Sequence, residues 1–177
     1  MDSKEEIIFI DWLDELVEAG YVNTYTYHID CYELIPKATL IGNKGKPISL
    51  LNNLSYTPDF TINWNISAKD LFYIDDVDVK NSKFDNNHII LSSSGVSTID
   101  IKGSFVGLHN NSGITFPIIR KVLYHLKGIY VNKVVPKELF KNTFTPMSYL
   151  KTATNKPRKI DWQVRTLAEY TNANRKS

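Results

Sequence analysis

Apolar residues near the start of the chain recur at intervals of three and four: Phe9, Ile10, Trp12, Leu13, Leu16 and Val17. This spacing predicts a helix over residues 3–19, with Ser3 and Glu6 as a capping box and Gly20 as its stop. Residues 21–35 are rich in Tyr, Thr, Val and Ile and predict one or two strands, and the Asn-Lys-Gly-Lys-Pro run at 43–47 predicts a loop. Tyr56–Trp64 predicts a further strand. Residues 65–95 are polar, with weak strand patterns at 71–79 and 88–91, and read as a hairpin insertion. Ser97–Lys102 predicts a short strand closed by Gly103, followed by a loop over 107–113. Pro117 suits the first turn of a helix reaching about Leu126, Gly128 stops it, and Ile129–Val135 is a last strand. Beyond Pro136 the pattern breaks into short helical or irregular pieces, with fraying expected over 172–177. This order predicts an α/β fold with a mixed sheet flanked by helices. Residues 1–135 would form the core, with the insertion at about 65–95, and 136–177 a basic extension packed on it.

Composition changes this picture little. The 177 residues are 42% hydrophobic and 23% charged, an ordinary globular balance. The single cysteine, Cys31, excludes an intramolecular disulfide and a cysteine-based zinc cluster, and its Tyr-rich surroundings suggest a small core residue. No apolar run spans a bilayer, and the acidic N-terminus is unlike a signal peptide. The expected location is therefore cytoplasmic and not secreted.

Charge changes it more. The net +2 hides a split: residues 1–119 carry 8 Lys and Arg against 16 Asp and Glu, whereas residues 120–177 carry 13 against 3. A basic third joined to an acidic remainder suggests a polyanionic partner, nucleic acid first; a tail that is merely soluble is the plainer explanation.

Three carboxylates stand out by position. Asp11, Asp14, Glu15 and Glu18 cluster opposite the apolar stripe of the first helix, but Glu6 lies on it. A carboxylate there needs a cation, a metal or hydrogen bonds, although closing the cap with Ser3 would also explain it. Asp59 follows Pro58 at the start of a strand, where a turn role is equally ordinary. Asp100 and Lys102 alternate with Ile99 and Ile101, so the two charged residues share one face of a buried strand. Asp78-Val79-Lys80 repeats the Asp-x-Lys form within an acidic run and reads as an exposed edge of the insertion.

Two strand carboxylates and a helix glutamate can hold Mg²⁺, with Mn²⁺ as a substitute. Glu6, Asp59 and Asp100 would be its ligands, joined by the backbone carbonyl of Ile101. Lys102 would orient the attacking water or stabilise charge growing on phosphorus. That chemistry is metal-assisted phosphodiester hydrolysis.

These residues resemble the PD-(D/E)xK nuclease superfamily. Pro58-Asp59 resembles its first motif, Asp100-Ile101-Lys102 its second, and Glu6 the N-terminal helix glutamate of its resolvase-like members. The chain is similar, more narrowly, to small phage-encoded endonucleases described as Holliday-junction resolvases. The similarity rests on Ser3, Lys4 and Glu6, on Tyr56, Pro58, Asp59 and Phe60, on the Gly128–Asn132 strand, on Leu139–Leu150, and on the Lys156–Lys159 run. It implies a restriction-endonuclease-like core and a Mg²⁺-dependent endodeoxyribonuclease acting in phage DNA recombination, replication or junction resolution. The second-motif acid is Asp rather than the commoner Glu, and 41 residues separate Asp59 from Asp100, which is long for the family.

The DNA, branched or linear, would be held by Arg120, Lys121 and Lys127 on the helix after the second motif. Lys141, Lys156, Arg158 and Lys159 would extend that surface. Phe140, Phe144, Tyr149 and Trp162 are interleaved with these cations, and anchoring the tail to the core is favoured over base stacking. His28, His88, His109 and His125 lack metal-ligand spacing, and only His109 lies near the second motif. A homodimer is expected if the substrate is a symmetric junction. The competing function is a non-catalytic DNA-binding protein on a nuclease-like fold.

Overall fold

A computed structural model describes residues 3–75, 88–103, 111–152 and 154–175. The first helix, α1 (Lys4–Glu18), begins where predicted, with the Ser3 hydroxyl accepting the Glu6 N–H at 3.1 Å. Phe9, Trp12, Leu13 and Leu16 form its buried stripe, whereas Val17 lies outside it and is exposed.

The central sheet has the order β1-β6-β9-β10, built from β1 (Val22–Tyr27), β6 (Phe60–Trp64), β9 (Ser97–Ile101) and β10 (Val131–Val134). β1 and β9 flank β6 antiparallel, and β10 joins β9 parallel. Parallel neighbours need a crossover, and α2 (Asn111–Lys127) lies between β9 and β10 in the chain. The fold is therefore mixed α/β, with a mixed sheet flanked by helices.

Alternation along β9 divides the interior in two. Ile99 and Ile101 join Phe9, Trp12, Phe60 and Ile62 in the larger core. On the other face Leu34, Phe116, Leu123 and Val131 form a smaller core against Tyr32 and Tyr56. Thr98 and Asp100 of β9 thus sit beneath α2 and a ribbon formed by β2 (Tyr32–Ile35) and β5 (Leu54–Tyr56).

Four expectations need correction, and the 43–47 loop, which is present, joins two strands that the pattern does not predict. The predicted strand 56–64 is broken: Tyr56 closes β5 on β2, and Phe60 opens β6 on β1 and β9. Pro58 lacks an N–H and cannot continue a ladder through this point. The stretch around the 43–47 loop is itself a hairpin, β3 (Ala38–Ile41) and β4 (Pro47–Leu51). Its strands lack polar alternation because almost every residue in them is exposed. The 65–95 insertion is not a hairpin, because β7 (Tyr73–Asp75) and β8 (Ile89–Leu91) pair in parallel. Tyr73, Ile74, Ile89 and Ile90 are buried, so these strands belong to the body of the fold. Asp78-Val79-Lys80 lies outside the described residues. The helix after the second motif starts at Asn111, so Pro117 sits inside it, where it forfeits the N–H that would reach residue 113. Cys31 is exposed between β1 and β2.

The basic third is fastened to the body. Phe140 from α3 (Pro136–Asn142), Phe144, Tyr149 and Tyr170 from α4 (Leu167–Asn174) share the core with Phe9 and Trp12. Trp12 and Phe144 stack at 5.5 Å. Ser148 donates to Asp11 at 2.6 Å, and the Met147 N–H donates to Glu15 at 2.8 Å, so part of the acidic face of α1 is a docking surface. The chain does not fray at 172. α4 holds to Asn174, and Arg175 donates to the Tyr21 hydroxyl at 3.0 Å. No helix of the described residues is long and apolar enough to cross a membrane.

Candidate metal and phosphodiester site

The registers of the central sheet bring the candidate residues onto one line. Tyr27 faces Phe60 across β1 and β6, and Phe60 faces Ile99 across β6 and β9. One step further along both registers sets His28 beside Asp59 and Asp59 beside Asp100. Backbone bonds hold this row: His28 N–H to the Asp59 carbonyl and Asp59 N–H to the Ile99 carbonyl, both 3.0 Å. Across the parallel pair, Lys133 stands opposite Asp100. Directly opposed like charges destabilise a sheet, so Asp59 and Asp100 each need compensation.

Asp100 obtains it inside the protein. It is 4% exposed, accepts from the Tyr56 hydroxyl at 2.9 Å, and forms an ion pair with Lys102. The Lys102 ammonium lies 5.2 Å from the centre of the Phe116 ring, a cation–π contact that restrains it further. Burial, with Asp100 adding to it, pushes the Tyr56 hydroxyl far above the ordinary tyrosine range, which keeps Tyr56 a donor.

Asp59 is compensated less well. One oxygen accepts the Ile101 N–H at 2.5 Å and the other meets His28 Nε2 at 3.1 Å. Burial raises its carboxyl above the ordinary range, and the charges of Asp100 and Glu6 push the same way against those two hydrogen bonds. Glu6 reaches the same place from α1, accepting from Tyr27 at 2.6 Å and Ser3 at 2.7 Å, with His28 Nε2 at 3.9 Å. Burial acts to raise Glu6 as well, but the hydrogen bonds from Tyr27 and Ser3 outweigh it and hold the carboxyl below its usual value.

Glu6, His28 and Asp59 each offer a ligand atom, and these atoms lie within 4.8 Å of one another. Two carboxylates and an imidazole are a donor set suited to a divalent cation that accepts oxygen and nitrogen. Of the residues expected to be ligands, the structure brings two together and turns one away. Glu6 and Asp59 converge, His28 joins them, and Asp100 turns to Tyr56 and Lys102. Ile101 meets Asp59 through its N–H; the expectation for it concerned its carbonyl.

His28, Tyr27 and Tyr56 were not singled out as site residues by the sequence. His28 has a φ of 53°, the left-handed region that few non-glycine residues adopt, and it follows β1, 31 positions before its partner Asp59. No local spacing links the two; only the β1–β6 register does. His109 lies outside the described residues.

The basic candidates divide into two groups. Lys121, Lys127, Lys141, Lys156 and Lys159 are exposed. Arg120 is half-buried and stacks over Tyr130 at 4.1 Å, lining a cavity of about 430 Å³ with Lys133, Asn132 and Glu138. Arg158 stacks on Tyr149 at 4.3 Å and donates to its carbonyl at 2.9 Å, so it also fastens the tail. Phe140, Phe144 and Tyr149 are buried, as the anchoring role requires.

Comparison with protein families, curated proteins and solved structures returns no match to this chain.

Proposed function

We propose that the chain is a metal-dependent DNA endonuclease of the PD-(D/E)xK type, built on a restriction-endonuclease-like core, that hydrolyses phosphodiester bonds in phage DNA recombination, replication or junction resolution. One observation carries the reading. Asp59 and Asp100 stand at the same level on adjacent strands, Lys102 is fixed by Asp100, and Glu6 arrives from α1. A separate acid-rich surface has no need of a lysine paired to a buried aspartate beside it.

Glu6, Asp59 and His28 would hold the cation, with Asp100 at its border. A bound Mg²⁺ or Mn²⁺ supplies a polarised phosphoryl oxygen and a bound water of lowered pKa. The protein's own groups do the rest. Lys102, restrained by Asp100 and Phe116, directs its ammonium toward negative charge developing on the phosphoryl group. Tyr56 keeps Asp100 oriented and remains protonated while doing so. The exposed lysines of α2 and of the basic third hold the flanking phosphates without reading sequence. An imidazole in the donor set favours Mn²⁺ over Mg²⁺.

The test is cleavage by purified variants on branched and linear DNA. Asp59→Asn and Lys102→Ala are expected to bind DNA but not cut it, and Asp78→Ala to cut like wild type. If Asp78→Ala is dead and Lys102→Ala is active, the site has been assigned to the wrong Asp-x-Lys segment.

A further inference from the structure

The cavity of about 430 Å³ opens at the edge strand of the central sheet, walled by α2, β10 and α3. In the strand order β9 separates that edge from β1 and β6, where Glu6, His28 and Asp59 gather. Arg120 comes from α2, Lys133 from β10, and Glu138 and Asn142 from one face of α3. Arg120 is the unusual member. Its guanidinium is half-buried against the Tyr130 ring, and burial draws its pKa below the ordinary arginine value. Among the described residues no carboxylate or carbonyl takes its N–H groups. Taking a charge out of water without a counter-charge is costly, and buried charges are paired as a rule. Lys133 also has no ion pair among the described residues, and Asp100, opposite it in the sheet, is held by Lys102.

We propose that this cavity binds a nucleoside monophosphate group, its terminal phosphate on Arg120 and Lys133 and its nucleoside against Glu138 and Asn142. A phosphate monoester carries about 1.5 to 2 negative charges near pH 7, which two cations match, whereas a diester inside a strand carries one. The arginine fork suits phosphate, and the contact with Tyr130 restrains it before a ligand arrives. Glu138 sets the other end. Its carboxylate repels a bare anion and accepts hydrogen bonds, so the ligand must carry a donor away from its phosphate, as a sugar hydroxyl or a base amino group does. The Asn142 amide offers that end both a donor and an acceptor. The volume lies within the ~300–1,000 Å³ of small-molecule sites. A free mononucleotide and the phosphorylated 5′ end of a DNA strand share this chemistry.

The inference does not depend on the nuclease reading, and calorimetry in chelator keeps metal out of its test. One adenosine 5′-monophosphate is expected to bind per chain. Adenosine and inorganic phosphate, each lacking half of the ligand, should bind at least about 10-fold more weakly. Arg120→Met and Lys133→Gln should each weaken the nucleotide about 10- to 100-fold, the scale of a hydrogen bond to a charged group. Lys133 is exposed, so its variant repeats the test without touching the core. Without ligand Arg120→Met is expected to melt no lower than wild type, because it removes a desolvated charge and keeps the packing. The nucleotide should raise the melting temperature of wild type and not of Arg120→Met. A short oligonucleotide with and without a 5′-phosphate separates the sources. Preference for the phosphorylated strand over the mononucleotide marks a strand end, and the reverse marks a free nucleotide. If neither the mononucleotide is favoured over adenosine nor the phosphorylated strand over the unphosphorylated one, the proposal fails and Arg120 is at most a contact to backbone diesters. Unchanged affinity in both variants overturns it as well.

Discussion

The two halves of the candidate site solve the same problem, a carboxylate in a sheet, in opposite ways. In the Tyr56–Asp100–Lys102 half, a buried aspartate is neutralised by a cation of the same chain and by a phenol. In the Glu6–His28–Asp59 half, two carboxylates share one partly exposed imidazole, and Asp59 stays above its ordinary pKa. The first half is complete without a ligand. The second has an excess of negative donors at ligand spacing, which is where a cation from solution gains most. Under the proposed function the difference would assign roles: the buried half would position Lys102, and the open half would receive the metal.

The largest effect should come from breaking the buried half. Lys102→Ala leaves Asp100 without its cation and should cost about 3–5 kcal/mol in urea unfolding. The double variant Asp100→Asn, Lys102→Met should recover most of that loss. A cost for Lys102→Ala no larger than that of an exposed ion pair would erase the contrast between the halves.

His28→Ala should act on the open half alone. His28 is a proposed ligand, so its loss is expected to lower Mn²⁺ affinity measured by calorimetry at least as far as the about 10- to 100-fold usual for losing an outer-shell partner. Because His28 is exposed, the melting temperature in chelator should hardly move.

Within the open half, the two carboxylates should respond to pH with opposite sign. The folded pKa of Asp59 is raised, so its contribution to stability is present below the ordinary carboxylate range and is lost as pH rises through the raised value. Asp59→Asn should therefore stabilise the metal-free protein at neutral pH and lose that advantage on acidification. Glu6 is lowered, so its contribution is present above the ordinary range and is lost as pH falls through the lowered value. Glu6→Gln should cost about 1 kcal/mol at neutral pH, the usual scale of a helix cap. Thermal melts in chelator from acid to neutral pH check both signs.

The smallest effect belongs to the exposed cations. If Lys121 and Lys127 contact phosphates, alanine at each should lower the slope of log affinity against log salt by about 0.9 for duplex DNA. Cleavage at saturating DNA should be unchanged.

Much of this contrast was legible in the residues, and part was not. The stripe of α1 and its Ser3 cap follow from local spacing. So does the alternation that buries Ile99 and Ile101 and sets Asp100 with Lys102. Glu6 could be flagged because a carboxylate on an apolar stripe conflicts with its surroundings. His28 could not, because its place beside Asp59 depends on the pairing of strands distant in sequence. The residue pattern makes Tyr56 the start of one long strand, whereas the chain breaks at Pro58 and the Tyr56 hydroxyl meets Asp100. The β3–β4 hairpin has no buried face and so leaves no periodic signal, because periodicity reports burial rather than strand pairing alone. The parallel pairing of β7 and β8 has no local signature at all.

The most direct measurement is a cleavage assay of the wild-type chain over four-way junctions, flaps, forks and linear duplex, with Mg²⁺, Mn²⁺ or chelator. Cuts in at least one DNA that require the metal and are lost in Asp59→Asn are the predicted result. Salt-sensitive binding to these DNAs with no cut under either metal would contradict it and would make the chain a DNA-binding protein without catalysis.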